Sequence, residues 1–171
     1  MAKRLRIGII GVGGIAQHAH IPGYKAIEDQ IELVACADVN VERARQVAKA
    51  HGIGQAYEDY REMLAKEELD AVSVCTPNKF HAPATVAALE AGCHVLCEKP
   101  PALSVAEARQ MVETAARVNK VLTFGLHYRF TTEVQAAKRA IDGGELGHVY
   151  AARVDAIRRR GIPGWGVFTN K

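Results

Sequence analysis

A six-residue stretch, Gly11-Val12-Gly13-Gly14-Ile15-Ala16, follows directly on the apolar run Leu5 to Ile10 and leaves few folds open to the chain. The spacing G-x-G-x-x-A predicts a strand, a tight turn and the start of a helix. In that arrangement Gly11 permits the turn, Gly13 lets a ligand come close to the backbone, and Ala16 is small enough for the helix to pack on the strand. A helix opening there points unpaired N–H groups and the positive end of its dipole at an anion. Glycines also serve ordinary turns, so the motif needs its neighbours before it means a binding site.

The neighbours agree. Leu5 to Ile10, Ile31 to Ala37, Ala71 to Cys75, His94 to Cys97 and Val121 to Phe124 are short runs rich in Val, Ile and Leu, the pattern of strands buried on both faces. Amphipathic segments separate them. One has Val41, Ala44 and Ala48 behind Asn40 as cap and before Gly52 as stop; one runs from about Phe80 to Gly92; one places Ser104 and Glu107 in a capping box; Asp59 to Ala65 is a shorter candidate. Strands alternating with helices predict an α/β fold, a doubly wound parallel (Rossmann) sheet. Asp38 closes the second run, where a carboxylate can accept hydrogen bonds from both hydroxyls of an adenosine ribose and would repel a 2′-phosphate. With no Arg or Lys after it until Arg43, the sequence favours NAD over NADP.

Composition excludes several other classes. The 22 Lys and Arg against 19 Asp and Glu leave a formal charge of +3 spread along 171 residues, too small and too dispersed to imply a nucleic-acid partner. Lys3, Arg4 and Arg6 before Ile7 imitate a secretory signal, but the glycines of the following stretch suit a turn better. No run reaches the roughly 18 continuous apolar residues of a membrane span. Cys36, Cys75, Cys93 and Cys97 lie within apolar runs, and the C-x-x-x-C spacing around His94 matches no common zinc or redox pattern. The expectation is a cytoplasmic protein with no metal site.

Glu98-Lys99-Pro100 sits at the end of the strand His94 to Cys97, and Thr76-Pro77-Asn78, with His81 just beyond, at the end of the strand before it. Carboxyl ends of strands are where ligands bind in open α/β sheets. A lysine there can donate to a hydroxyl and stabilise the alkoxide that develops as hydride leaves. Taken together, Gly11 to Ala16, Asp38, Thr76-Pro77-Asn78, His81, Glu98-Lys99-Pro100 and Gly125-Leu126-His127-Tyr128-Arg129-Phe130 resemble the glucose-fructose oxidoreductase/inositol dehydrogenase/rhizopine catabolism (Gfo/Idh/MocA) family.

That resemblance implies an NAD(P)-dependent oxidoreductase acting on a secondary hydroxyl of a sugar, cyclitol or related polyol. It places Lys99 beside the reacting hydroxyl and Glu98 near the nicotinamide end of the cofactor. It puts Thr76, Pro77, Asn78 and His81 along the cofactor cleft. In some members the Lys-Pro bond of this motif is cis. His127 and Arg129 match a segment that enters the interdomain cleft, where Arg129 either holds a substrate oxygen or stabilises the domain junction, whereas His18, His20, His51, His94 and His148 are assigned no chemistry.

Residues 1–124 are thus expected to form the dinucleotide-binding domain, and residues 125–171 a linker and the start of an α+β substrate and dimerisation domain. Thr132 to Asp142 reads as a helix. From about His148, Tyr150, Ala152, Val154 and Ala156 alternate with Arg153 and Asp155 as a half-buried strand would. Arg158-Arg159-Arg160 reads as a solvated strand end, and Trp165 as a packing residue between domains. Relatives continue for about as long again, with an aspartate and the histidine that takes the proton. The 171 residues are therefore expected to bind cofactor without sustained turnover, and a full-length form to be a homo-oligomer. Two other readings share this half: a non-catalytic dinucleotide-binding regulator, and a two-domain reductase of imines or aldehydes.

Overall fold

The computed structural model describes residues 3–155 and residue 157. Six strands, β1 (Leu5–Ile10), β2 (Ile31–Ala37), β3 (Gln55–Tyr57), β4 (Ala71–Val74), β5 (His94–Cys97) and β6 (Leu122–Phe124), form one sheet in the order β3-β2-β1-β4-β5-β6. Every neighbouring pair is parallel. Buried side chains form two clusters. Ile7, Ile9 and Leu33 belong to one, and Ile10, Val34, Val72 and Val74 to the other, as the alternation of side chains along a strand requires. This two-sided burial is why the strands read as continuous apolar runs.

The helices are α1 (Ile21–Lys25), α2 (Val41–His51), α3 (Tyr60–Lys66), α4 (His81–Glu90), α5 (Val105–Arg117) and α6 (Thr132–Asp142). Their starts are written locally. Asn40 accepts from the Arg43 N–H, Asp59 from the Arg61 N–H and Ser104 from the Glu107 N–H. Gly52, at φ 65°, closes α2 in the left-handed conformation expected of a helix stop.

Three features differ from the sequence reading. The glycine turn leads into a π-helical turn, Ala16–His20, in which the Ile21 N–H reaches the Ala16 carbonyl before α1 begins. Pro22 supplies the reason, because it has no N–H to continue an α-helical ladder. The three residues of β3 were not expected as a strand; they pair only with β2 at the sheet edge and are too short to show a period. The strand expected from His148 is not formed by residues 148–155. A strand is defined by its ladder partner, and these residues have none among the described residues. Ala156, Arg158-Arg159-Arg160 and Trp165 lie outside the described residues.

Two compact units part between Gly125 and Leu126. The second holds a short 3-10 turn, His127–Phe130, and α6, none of whose residues is buried. Within the first, the chain steps outward from β1 to β2 and β3, then returns to β4 and steps the other way. The loops leaving β1 and β4 diverge at this switch point and open a crevice at the carboxyl edge of the sheet.

Candidate functional site: a dinucleotide cleft at the switch point

Gly11 is required by the protein itself. Its φ is 86°, and a Cβ there would lie 2.9 Å from both the carbonyl carbon and the oxygen of Cys75. Its N–H donates to the Ala37 carbonyl at 2.7 Å, so the turn is pinned between β2 and β4. Val12, fully buried, follows with its N–H donating to Asp38 Oδ2 at 3.0 Å. Gly13 is different, because a Cβ there meets nothing within 4 Å. No protein contact among the described residues demands a glycine at that place, and its backbone is left open to close approach by a ligand. Gly13→Ala is accordingly expected to keep the melting temperature within about 2 °C, since exposed substitutions without strain cost little, while weakening NADH binding about tenfold or more in a calorimetric titration. Gly14 and Ile15 carry the chain into the helical segment, and Ala16, with no exposed surface, packs in the cluster of Ile9 and Val12.

Asp38 sits at the end of β2, 7% exposed. Oδ1 accepts from the Asn40 N–H at 2.9 Å and from Arg43 Nη2 at 2.6 Å; Oδ2 accepts from the Val12 N–H and from Arg43 Nε at 3.3 Å. Burial alone would raise its pKa, but these donors outweigh it and hold the carboxyl below its usual range. Along the sequence the first cation after Asp38 is Arg43. In the fold, the first turn of α2 brings Arg43 back onto the carboxylate. Both groups line a cleft of about 610 Å³ together with Gly11, Thr76, Pro77 and Phe80.

Thr76, Pro77 and Asn78 form the loop after β4 and the short turn before α4. Thr76 Oγ1 is buried without a hydrogen-bond partner among the described residues, and a buried orphan hydroxyl at the rim of a cleft is suited to a ligand atom. The open space over Gly13, this hydroxyl and the buried carboxylate of Asp38 fit a dinucleotide. His81 departs from its expected place along the cofactor cleft. It is 1% exposed, with Nδ1 2.7 Å from the Pro100 carbonyl oxygen and Nε2 2.9 Å from that of Thr76. The ring is lodged between the loop after β4 and the loop after β5, each nitrogen facing one carbonyl oxygen.

The β5 loop carries the second half of the site. Glu98 is 7% exposed, Lys99 is exposed, and the Lys99-Pro100 peptide is cis. Glu98 Oε2 accepts from the Lys99 N–H at 3.1 Å, and Oε1 lies 3.0 Å from His20 Nε2. Burial would raise the Glu98 pKa; the hydrogen bonds from His20 and the Lys99 N–H, with the charge of Lys99, hold it below its usual range. His20 is the residue that sequence reasoning missed. Its other nitrogen is 3.2 Å from Ser73 Oγ, which lies 2.7 Å from the Tyr24 hydroxyl. His18, by contrast, turns outward to the Gly14 carbonyl.

His127 and Arg129 lie on the 3-10 turn of the second unit. The four cysteines are free and buried. Desolvation pushes the thiols of Cys36 and Cys97 up to about 11 and those of Cys75 and Cys93 upward as well, so they are protonated packing groups at neutral pH. Among the described residues no helix is long and apolar enough to cross a membrane.

Comparison with known proteins places this geometry. The chain is 44% identical to a D-glucoside 3-dehydrogenase of Escherichia coli strain K12 over 98% of its own length and 47% of that protein's. It is 33% identical to a myo-inositol 2-dehydrogenase of Thermotoga maritima over 88% of its length and 44% of that protein's. Among solved structures, the WlbA dehydrogenase of Bordetella pertussis, in complex with NADH and UDP-GlcNAcA, superposes with a TM-score of 0.82 at 29% identity, covering 86% of this chain and 45% of that one. The chain thus spans about half the length of the relatives it matches. The family described as an oxidoreductase family with an NAD-binding Rossmann fold matches residues 5–126, and the chain belongs to it: the Gfo/Idh/MocA family.

Proposed function

We propose that this chain is the cofactor-binding part of an NAD-dependent oxidoreductase that moves hydride between nicotinamide and a secondary hydroxyl of a sugar, cyclitol or related polyol. One observation carries the reading. Along a single carboxyl edge, a buried carboxylate and an open glycine turn lie after β2 and β1, and an exposed lysine lies after β5. When bound, the nicotinamide supplies the hydride acceptor or donor. The chain supplies the rest of this half: Asp38 accepts from the ribose hydroxyls, the N–H groups at Gly13 and Gly14 face the pyrophosphate, and Lys99 donates to the substrate oxygen as negative charge develops on it. Thr76, Pro77 and Asn78 wall the cofactor, and Glu98 borders its nicotinamide end. The protein acts in the cytoplasm, and its oligomer is built from segments outside the cofactor unit.

Asp38 sets the preference for NAD, and Arg43 sets how strict it is. Ribose hydroxyls must share the carboxylate with the guanidinium, while a 2′-phosphate would meet the guanidinium directly. In parallel NADH and NADPH titrations, Asp38→Ala is expected to weaken NADH at least about tenfold, the loss of one or two hydrogen bonds to a charged group. Arg43→Ala is expected to weaken NADPH by a similar factor and to spare NADH. An Asp38→Ala variant that keeps the full preference for NADH removes Asp38 from cofactor choice.

A further inference from the structure

We infer that His20 is a positioning residue for the Glu98-Lys99 pair, the last donor in a hydrogen-bond chain that starts at the Tyr24 hydroxyl and ends on the Glu98 carboxylate. The inference rests on the reading of Lys99 as the residue that meets the substrate hydroxyl.

The chain has a direction that donors and acceptors dictate. An ionised carboxylate only accepts, so at 3.0 Å from Oε1 the His20 Nε2 must carry its proton. In the neutral ring Nδ1 then accepts, and the group it faces is Ser73 Oγ at 3.2 Å. Ser73, with no exposed surface on β4, donates to that nitrogen and accepts from the Tyr24 hydroxyl at 2.7 Å. Burial raises the Tyr24 pKa, so its phenol retains the proton it donates. Each polar atom in the series is satisfied by one direction of donation. The side chains of His20 and Glu98 are only 7% and 10% exposed, so water is a poor substitute for a lost partner.

The same carboxylate is confined from its other side. A Cβ on Gly125, at the end of β6, would lie 2.9 Å from Glu98 Oε1. Oε1 is therefore held between an imidazole donor and a glycine, while Oε2 holds the backbone N–H of Lys99 at 3.1 Å. Moving Oε1 moves the peptide from which the Lys99 side chain springs. The π-helical turn explains how one segment serves both halves of the site. Its upstream end is the glycine turn, and its downstream end turns His20 inward, toward β4 and the β5 loop, while His18 stays outside. The segment that carries the cofactor turn thereby also holds the lysine loop.

Two measurements test this. In the 171-residue chain, nitrogen-15 correlation spectra of the imidazoles are expected to show the His20 proton on Nε2 and Nδ1 bare, with both resonances shifting in Ser73→Ala and Gly125→Ala. A proton on Nδ1 with a bare Nε2, or resonances indifferent to both substitutions, overturns the contact whatever the catalytic activity. In a form of the enzyme that oxidises a polyol, His20→Leu is expected to lower kcat about 10- to 100-fold, the scale of a misplaced catalytic group. The KM for NAD should stay within about threefold, and His20→Gln, whose amide offers an N–H in place of Nε2–H, should recover most of the rate. Equal losses in the Leu and Gln variants, or wild-type kcat in both, overturn the positioning role. If the wild-type chain fails to bind NADH, the dehydrogenase reading falls, but the nitrogen-15 result still decides the His20 contact.

Discussion

Lys99→Met is expected to lower kcat for polyol oxidation by about 10² to 10³-fold, the range for removing one preorganised donor at a developing oxyanion, while the Kd for NADH changes less than about twofold. The expectation comes from what Lys99 does and does not touch. Its backbone N–H is held by Glu98, and its side chain is exposed, with no hydrogen bond or ion pair to its ammonium among the described residues. The charge is thus not required to hold the fold. Methionine keeps an unbranched stem of similar length and removes only the ammonium, so a kcat loss without a binding loss isolates the group acting on the reacting oxygen. Steady-state kinetics on a form that turns over, paired with an NADH isotherm, separates the outcomes. Near-normal kcat would take Lys99 out of the mechanism, and lost NADH affinity would reassign its charge to the cofactor.

Gly11→Ala is expected to abolish detectable NADH binding and to destabilise the chain by about 2 kcal/mol or more, the cost of a non-glycine residue in a sparsely populated conformation plus a backbone clash. The added methyl would meet the carbonyl carbon and oxygen of Cys75 at 2.9 Å. Neither is the far end of a flexible side chain, so relief requires β1 and β4 to part at the switch point. Thermal melts of Gly11→Ala and Gly13→Ala side by side distinguish a glycine required by the fold from one required by the ligand. A Gly11→Ala protein with the wild-type melting temperature would contradict the turn geometry.

What the sequence made readable was local. The turn at Gly11, the caps at Asn40 and Ser104 and the apolar runs of β1, β2 and β5 are each specified within a few residues, and the fold uses them as read. Asp38 was identifiable from its place at the end of β2, but Arg43 was not identified as its partner, because one helical turn and the Asn40 cap are needed to fold it back. His20 was out of reach for a different reason. Its partner Glu98 is 78 residues away, and the π turn that aims it arises where Pro22 interrupts the ladder. His81 was found as a site residue, but burial gives it the work of joining two loops. The alternation after His148 is a pattern with no described partner, and periodicity cannot supply one.

The measurement closest to the central claim is a direct titration of the 171-residue chain with NADH and NADPH, followed by calorimetry. The account predicts saturable one-to-one binding of NADH, weaker binding of NADPH, and loss of that difference in Asp38→Ala. Absence of saturable binding of either nucleotide at millimolar concentration by a folded chain would contradict it.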